Sequence, residues 1–304
     1  MDRRYAVLDV FTDQALSGNQ LAVVRDAAGL SDDAMQAIAK EFNLSETVFV
    51  LPPENPAHTA RVRIFTPAKE LPFAGHPTVG TAVLLGSDRL GQSSDLDAVV
   101  VLEEKIGLVR CGVAFRSTSA AYAEFDLPRL PQVADSAPGV EAVADVLGLA
   151  PHEIGFGHFP IAVSGVGFPY MAIPVNGLDA IRRAAPRMDR WDTVFSEERG
   201  YLSAYLYTAE VERPDATYHT RMFAPAFGIV EDPATGSAAA AFAGILHRYG
   251  QLTSGSHRFL LEQGIEMGRP SLIALEVDVA EDGALHAARI GGSAVLVAEG
   301  MLKV

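Results

Sequence analysis

The sequence predicts an α+β fold of two strand-rich lobes related by a pseudo-twofold axis, each a β-barrel-like sheet wrapped around a central α-helix. Three observations carry that prediction. The 304 residues exceed the roughly 100–200 that one core usually holds. Strand patterning dominates both halves. One motif occurs twice, each time reading as a strand, a loop and an apolar helix.

The elements follow in order. Ala6-Val7-Leu8-Asp9-Val10-Phe11, the turn Ser17-Gly18-Asn19-Gln20 and Leu21-Ala22-Val23-Val24 have the layout of paired strands. A helix is expected next, with Ser31 as N-cap, Asp32 and Asp33 in its first turn, apolar residues at Met35, Ile38, Ala39 and Phe42, and Asn43 as its stop. A strand begins near Glu46 and runs to Leu51, where Pro52 and Pro53 break it. Thr59 to Phe65 alternates polar and apolar residues, as a half-buried strand does. Segments 99–103, 108–115 and 120–126 continue the pattern. The Pro-rich stretch 128–138 reads as a crossing, giving an N-terminal lobe over 1–127 and a C-terminal lobe over 128–304. In the second lobe helical spacing covers Gly139–Leu149 and Leu178–Met188, and strands cover Phe168–Val175 and Leu202–Tyr207. Ser271–Val279 and Ala294–Ala298 add two strands across the turn Glu281-Asp282-Gly283. The last strand is a candidate to return to the N-terminal lobe.

In the repeat, Arg63-Ile64-Phe65-Thr66-Pro67-Ala68 matches Arg221-Met222-Phe223-Ala224-Pro225-Ala226, and His76-Pro77-Thr78-Val79-Gly80-Thr81-Ala82 matches Asp232-Pro233-Ala234-Thr235-Gly236-Ser237-Ala238. Pro suits the first position of a helix, where its missing N–H costs nothing. His76 and Asp232 are therefore expected at helix N-termini, with central helices from about 77 and 233. Both helices lack a polar face, which marks them as buried. Free N–H groups and the positive dipole end suit a carboxylate or a developing oxyanion, so the active site is expected where the two helix starts meet, around an anionic small molecule.

Composition narrows the function. There are 24 Lys and Arg against 38 Asp and Glu, with no basic cluster, so nucleic acid is not an expected partner. Asp9 interrupts the first apolar run, so export is not indicated. The apolar and Gly run Ala238–Leu246 is far shorter than the roughly 20 residues of a membrane span. A cytoplasmic location without membrane attachment is expected. Cys111 is the one cysteine and lies in an apolar strand, which reads as an inert buried thiol. The histidines lack metal-site spacing, so no metal is expected. Neither Gly-x-Gly-x-x-Gly nor a phosphate-binding Gly-Lys-Ser/Thr loop is present, so no nucleotide cofactor is expected.

Ser45-Glu46-Thr47-Val48-Phe49, Glu70-Leu71-Pro72-Phe73-Ala74-Gly75-His76-Pro77-Thr78 and Glu231-Asp232-Pro233-Ala234-Thr235-Gly236-Ser237-Ala238 resemble the phenazine-biosynthesis PhzF-like isomerase family. Gly264–Ser271 and Gly291-Gly292-Ser293-Ala294-Val295 resemble it too, so the likeness spans the chain. The resemblance implies a diaminopimelate-epimerase-like fold and a homodimer. It implies an isomerase like trans-2,3-dihydro-3-hydroxyanthranilate isomerase, which moves a proton between ring carbons of a carboxylate-bearing substrate without a cofactor. It makes Glu46 the proton carrier and places His76, Asp232 and Ser237 around the substrate. The related epimerases use two cysteines at the helix starts, which this chain lacks.

Each role competes with a plainer one. A glutamate before an apolar strand is ordinarily a solvated edge residue; a closed apolar cleft would instead favour its neutral form and let it exchange protons with carbon. Asp232 has an N-cap role worth about 1 kcal/mol, and His76 one as a cap or packed ring. Ser237 is assigned to ligand and Thr81 to backbone. Glu70 is expected to brace its loop, and Arg63 and Arg221 to brace the lobes. A Ser-His-Asp hydrolase assembled from Ser237, His76 and Asp232 lacks the Gly-x-Ser-x-Gly elbow. The site set is thus Glu46, Asp232 and His76 for catalysis, with Gly75, Gly236 and Ser237 for substrate. An epimerase or racemase with non-cysteine bases and a non-catalytic small-molecule-binding protein are the alternatives.

Overall fold

A computed structural model describes residues 2–90, 95–117, 119–134, 137–200 and 203–304. Leu202 of the expected strand and positions 135–136 of the Pro-rich stretch lie outside the described residues. The chain forms two compact units: Met1–Pro128 with Arg269–Leu272 and Ile290–Val304, and Arg129–Gly268 with Ile273–Arg289.

In the first unit β1 (Asp2–Val10) and β2 (Asn19–Val24) pair antiparallel. Helix α1 (Asp32–Phe42) carries the chain to β3 (Glu46–Leu51), parallel to β2 with Leu21 opposite Glu46. The α1 signals act as read: Ser31 accepts from the Ala34 N–H, and Asn43, left-handed, closes the helix on the Ala39 carbonyl. Strand β4 (Ala60–Phe65) is antiparallel to β3 and to the short β5 (Glu70–Leu71). Helix α2 (Gly75–Leu90) crosses to β6 (Leu96–Glu104), parallel to β4. Strands β7 (Gly107–Arg116) and β8 (Ser119–Asp126) extend this antiparallel meander.

The second unit opens with β9 (Gln132–Val133) and α3 (Val140–Leu147). It then repeats the same connections: β10 (Ala162–Gly165) antiparallel to β11 (Pro169–Pro174), α4 (Leu178–Arg183), then β12 (Ala204–Thr208) parallel to β11. Strand β13 (Tyr218–Ala224) is antiparallel to β12 and to β14 (Ile229–Asp232). Helix α5 (Gly236–Tyr249) leads to β15 (Gly255–Gln263), parallel to β13. The duplication seen in one motif thus extends to five strand pairings and two crossovers. Strands β16 (Ser271–Val279) and β17 (Leu285–Lys303) complete the chain, and Ala294–Lys303 pairs antiparallel with β1.

Helix α5 is buried from Ala238 to Leu246, and α2 buries Val79, Ala82, Val83 and Leu84, as expected of helices without a polar face. Small residues let the sheet close on them. A methyl group at Gly80 would lie 2.6 Å from the Leu21 side chain.

Three expectations need correction. Asp232 does not cap α5: it ends β14, paired with Met222, and the helix starts at Gly236 after Thr235. The strand pairing holds the Asp232 backbone extended, so the second central helix begins three residues beyond the expected 233. Helix α4 stops at Arg183 rather than Met188 because the Arg221 guanidinium takes the carbonyls of Ile181, Arg182 and Ala184, and Pro186 cannot continue the ladder. Among the described residues, the buried Thr81 hydroxyl has no hydrogen-bond partner.

Candidate active site

In the first unit, Phe49 and Leu51 of β3 pack with α1, so by strand alternation Glu46 and Val48 point to the other face. The Glu46 side chain is 13% exposed, and its Oε2 stands 3.4 Å from Nε2 of His76. His76 lies in the first turn of α2 beside Gly75, with Nδ1 3.3 Å from the Asn19 amide nitrogen. Burial pushes the imidazole pKa down to about 3 against a hydrogen bond with the Gln20 backbone, so the ring is neutral. A neutral imidazole has one N–H. Nδ1 meets the Asn19 amide, while Nε2 and the Glu46 Oε2 that faces it at 3.4 Å are buried and make no hydrogen bond among the described residues.

The second unit holds the other expected residues. Asp232 is 4% exposed, and its Oδ2 accepts the Thr235 hydroxyl at 2.6 Å. Gln263 donates to the Asp232 carbonyl at 2.8 Å and to the Thr235 hydroxyl oxygen at 3.1 Å, and its side-chain oxygen accepts the Thr235 N–H at 3.3 Å. The segment that leads into α5 is therefore fixed by side chains rather than by a helix cap. Gly236 is buried at the first position of α5, and half-buried Ser237 bonds Tyr170 Oη at 2.7 Å.

Structure thus joins Glu46 with His76, and Asp232 with the start of α5. Asn19, Thr235, Gln263 and Tyr170 were missed in the sequence. Asn19 looks like an ordinary turn former, and Tyr170 and Gln263 become neighbours of the motif only through strand pairing. Gly-Asn at a turn, with a buried polar side chain after the bend, was the one available signal.

The arginines of the repeat are braces, as expected. Arg63 grips both Glu70 oxygens, at 2.7 and 3.0 Å, and Asp32 at 2.6 Å. Arg221 grips both Glu231 oxygens, at 2.7 and 2.8 Å. Each guanidinium lies over the Phe two residues on, at 5.1 Å for Phe65 and 4.8 Å for Phe223. Cys111 is buried and its thiol pKa is pushed up by burial and by nearby Glu104, consistent with an inert thiol. A groove of about 1020 Å³ runs beside Arg63, Glu70 and Glu104; its lining does not include Glu46 or His76, and paired charges make it a solvated groove.

The fold is one of two matched strand-rich units around buried helices, and the first unit sets a largely buried carboxylate against a neutral histidine. The chain belongs to the phenazine biosynthesis-like protein family (PhzC-PhzF), which matches residues 8–300. It is 50% identical over 302 residues to an uncharacterized isomerase of Mesorhizobium japonicum, covering 99% of this chain and 98% of the relative. It is 34% identical over 298 residues to the trans-2,3-dihydro-3-hydroxyanthranilate isomerase of Pseudomonas chlororaphis, covering 98% of each. The crystal structure of a PhzF-family protein from Bacillus anthracis superposes with a TM-score of 0.88 at 26% identity, over 100% of both chains. The expected family and fold class are those found, and the chain is an isomerase.

Proposed function

We propose that this isomerase moves a proton between two carbons of a small carboxylate-bearing substrate without a cofactor, with Glu46 as the general acid and base. The observation that carries the reading is the Glu46–His76 pair: a largely buried carboxylate 3.4 Å from an imidazole kept neutral by burial. Ionised Glu46 takes a proton from one carbon, the electron pair delocalises toward the substrate's unsaturated system, and the carboxyl group, after exchanging its proton with solvent, delivers one to a second carbon. No group is gained or lost. Across this cycle His76 stays neutral beside Glu46 while Asn19 and the Gln20 backbone hold its ring in place. Asp232, Gly236 and Ser237 are assigned to substrate: the N–H groups opening α5 suit a carboxylate, and Asp232 suits an amine or hydroxyl. The 34% identity to a dihydrohydroxyanthranilate isomerase supports the same class of substrate.

Turnover of trans-2,3-dihydro-3-hydroxyanthranilate in deuterated solvent tests the mechanism. Wild-type enzyme should form the isomerised product and wash solvent deuterium into the receiving carbon. The Glu46→Gln variant should lose about 10²–10⁴-fold in kcat with its melting temperature nearly unchanged. Undiminished turnover by that variant would remove Glu46 from the mechanism.

A further inference from the structure

Within the second unit we infer that Tyr170, with Phe168 and Phe227, is a specificity-determining wall beside Ser237 that selects carboxylates carrying a flat apolar body. The inference rests on the assignment of Ser237 to substrate made above.

The argument begins with the two copies of the fold. Phe65 pairs with Thr47, and Phe223 pairs with Ala204. Across the parallel pairings Thr47 faces Ala22 and Ala204 faces Met171. One residue earlier on each strand, Tyr170 therefore occupies the place of Leu21. In the first unit Leu21 packs against Gly80, and the Thr81 hydroxyl is buried without a partner. In the second unit Tyr170 instead bonds Ser237, the counterpart of Thr81, hydroxyl to hydroxyl at 2.7 Å, and both side chains are half-buried. A fully buried apolar side chain in one copy is thus replaced in the other by a half-buried one that bears a hydroxyl.

The β10–β11 hairpin fixes this hydroxyl in place. At Gly165 a methyl group would lie 2.1 Å from the Phe168 carbonyl oxygen, and Gly167 has a left-handed φ of +78°, so the turn accepts glycine at both points. Ser164, opposite Tyr170 in the ladder, donates to the Ala241 carbonyl at 2.7 Å. The hairpin is thus tied to α5 at Ala241 and at Ser237, one helical turn apart. Only the outer tie reaches solvent. Next to it, the half-buried Phe168 ring stands edge-on to Tyr170 at 5.4 Å and to Phe227 at 5.0 Å. Phe227 in turn precedes Gly228 and β14, the strand that ends at Asp232. A hydrogen-bonding point flanked by aromatic edges fits a ligand whose acceptor group is attached to a flat apolar ring.

Calorimetric titration with benzoate and acetate, two carboxylates that differ in the ring, tests this on the intact chain. Wild-type protein should bind benzoate at least about tenfold more tightly than acetate. Phe168→Ala should bring the two affinities to within about threefold of each other. Tyr170→Phe should weaken benzoate by about fivefold with the melting temperature held, whereas Ser164→Ala should lower the melting temperature and keep the benzoate preference. A wild-type protein without that preference, or a Phe168→Ala variant that retains it, overturns the inference. Glu46→Gln should keep the preference. A failure of the proton-carrier reading would appear in turnover alone, and a failure of the wall in the titration alone.

Discussion

At the scale of single residues, a second buried carboxyl group deserves separation from Glu46. Glu104 ends β6 at 7% exposure, and burial pushes its pKa up to about 8 against a hydrogen bond with Thr78. The Thr78 hydroxyl has one proton. It donates to Glu104 at 2.6 Å, with the Ala74 carbonyl 2.8 Å away as its alternative acceptor. Glu104 thus fastens the first turn of α2, two residues beyond His76, as a neutral acid. Because the folded pKa is raised above the unfolded one, its contribution is fully present below about pH 4.5 and is lost as pH rises toward 8. Glu104→Gln keeps a carbonyl acceptor for Thr78 and removes the titration. Chemical denaturation at pH 8.5 should find it about 1 kcal/mol more stable than wild type, with the difference shrinking toward pH 5; an equal gain at both pH values would show that ionisation is not involved.

At the scale of elements, the arginine braces are the repeat's shared device and differ in depth. Both join β4 or β13 to a carboxylate on the short strand beside it, but Arg221 is buried and also closes the end of α4, whereas Arg63 is a quarter exposed and reaches Asp32 at the start of α1. Removing Arg221 strands Glu231 and leaves buried carbonyls unpaired. Urea denaturation should therefore show Arg221→Ala losing about 3 kcal/mol and Arg63→Ala about 1 kcal/mol. Equal losses would mean that burial does not set the strength of these clamps.

For the whole molecule, two histidines set opposite limits on pH stability. His76 in the first unit has its pKa depressed to about 3 by burial, so the stability of its neutral form is present above about pH 6.5 and falls away as acid is added. His219 in the second unit is also buried, which opposes charge, but hydrogen bonds to Glu262 at 2.8 Å and Glu266 at 2.9 Å outweigh that and raise its pKa to about 9. Its contribution is full below about pH 6.5 and is lost as pH rises through 9. Melting temperature against pH should peak between these limits. His219→Gln should flatten the alkaline side and leave the acid side unchanged; an unaltered alkaline limb would assign that loss to other groups.

The sequence by itself determined the class of fold, the duplicated motif, the family, and the residue types from which the site is made. Those features follow from local patterning: strand alternation, apolar helices, the Ser31 and Asn43 caps, and motifs long enough to be specific. Tertiary structure decided where the polar groups find partners. Asp232 became the end of a strand because β13 pairs with it, Thr81 lost the backbone partner expected of it, and Asn19, Gln263 and Tyr170 joined the motif residues from 57, 31 and 67 positions away. Strand register across a parallel crossover sets such contacts, and no local pattern encodes it.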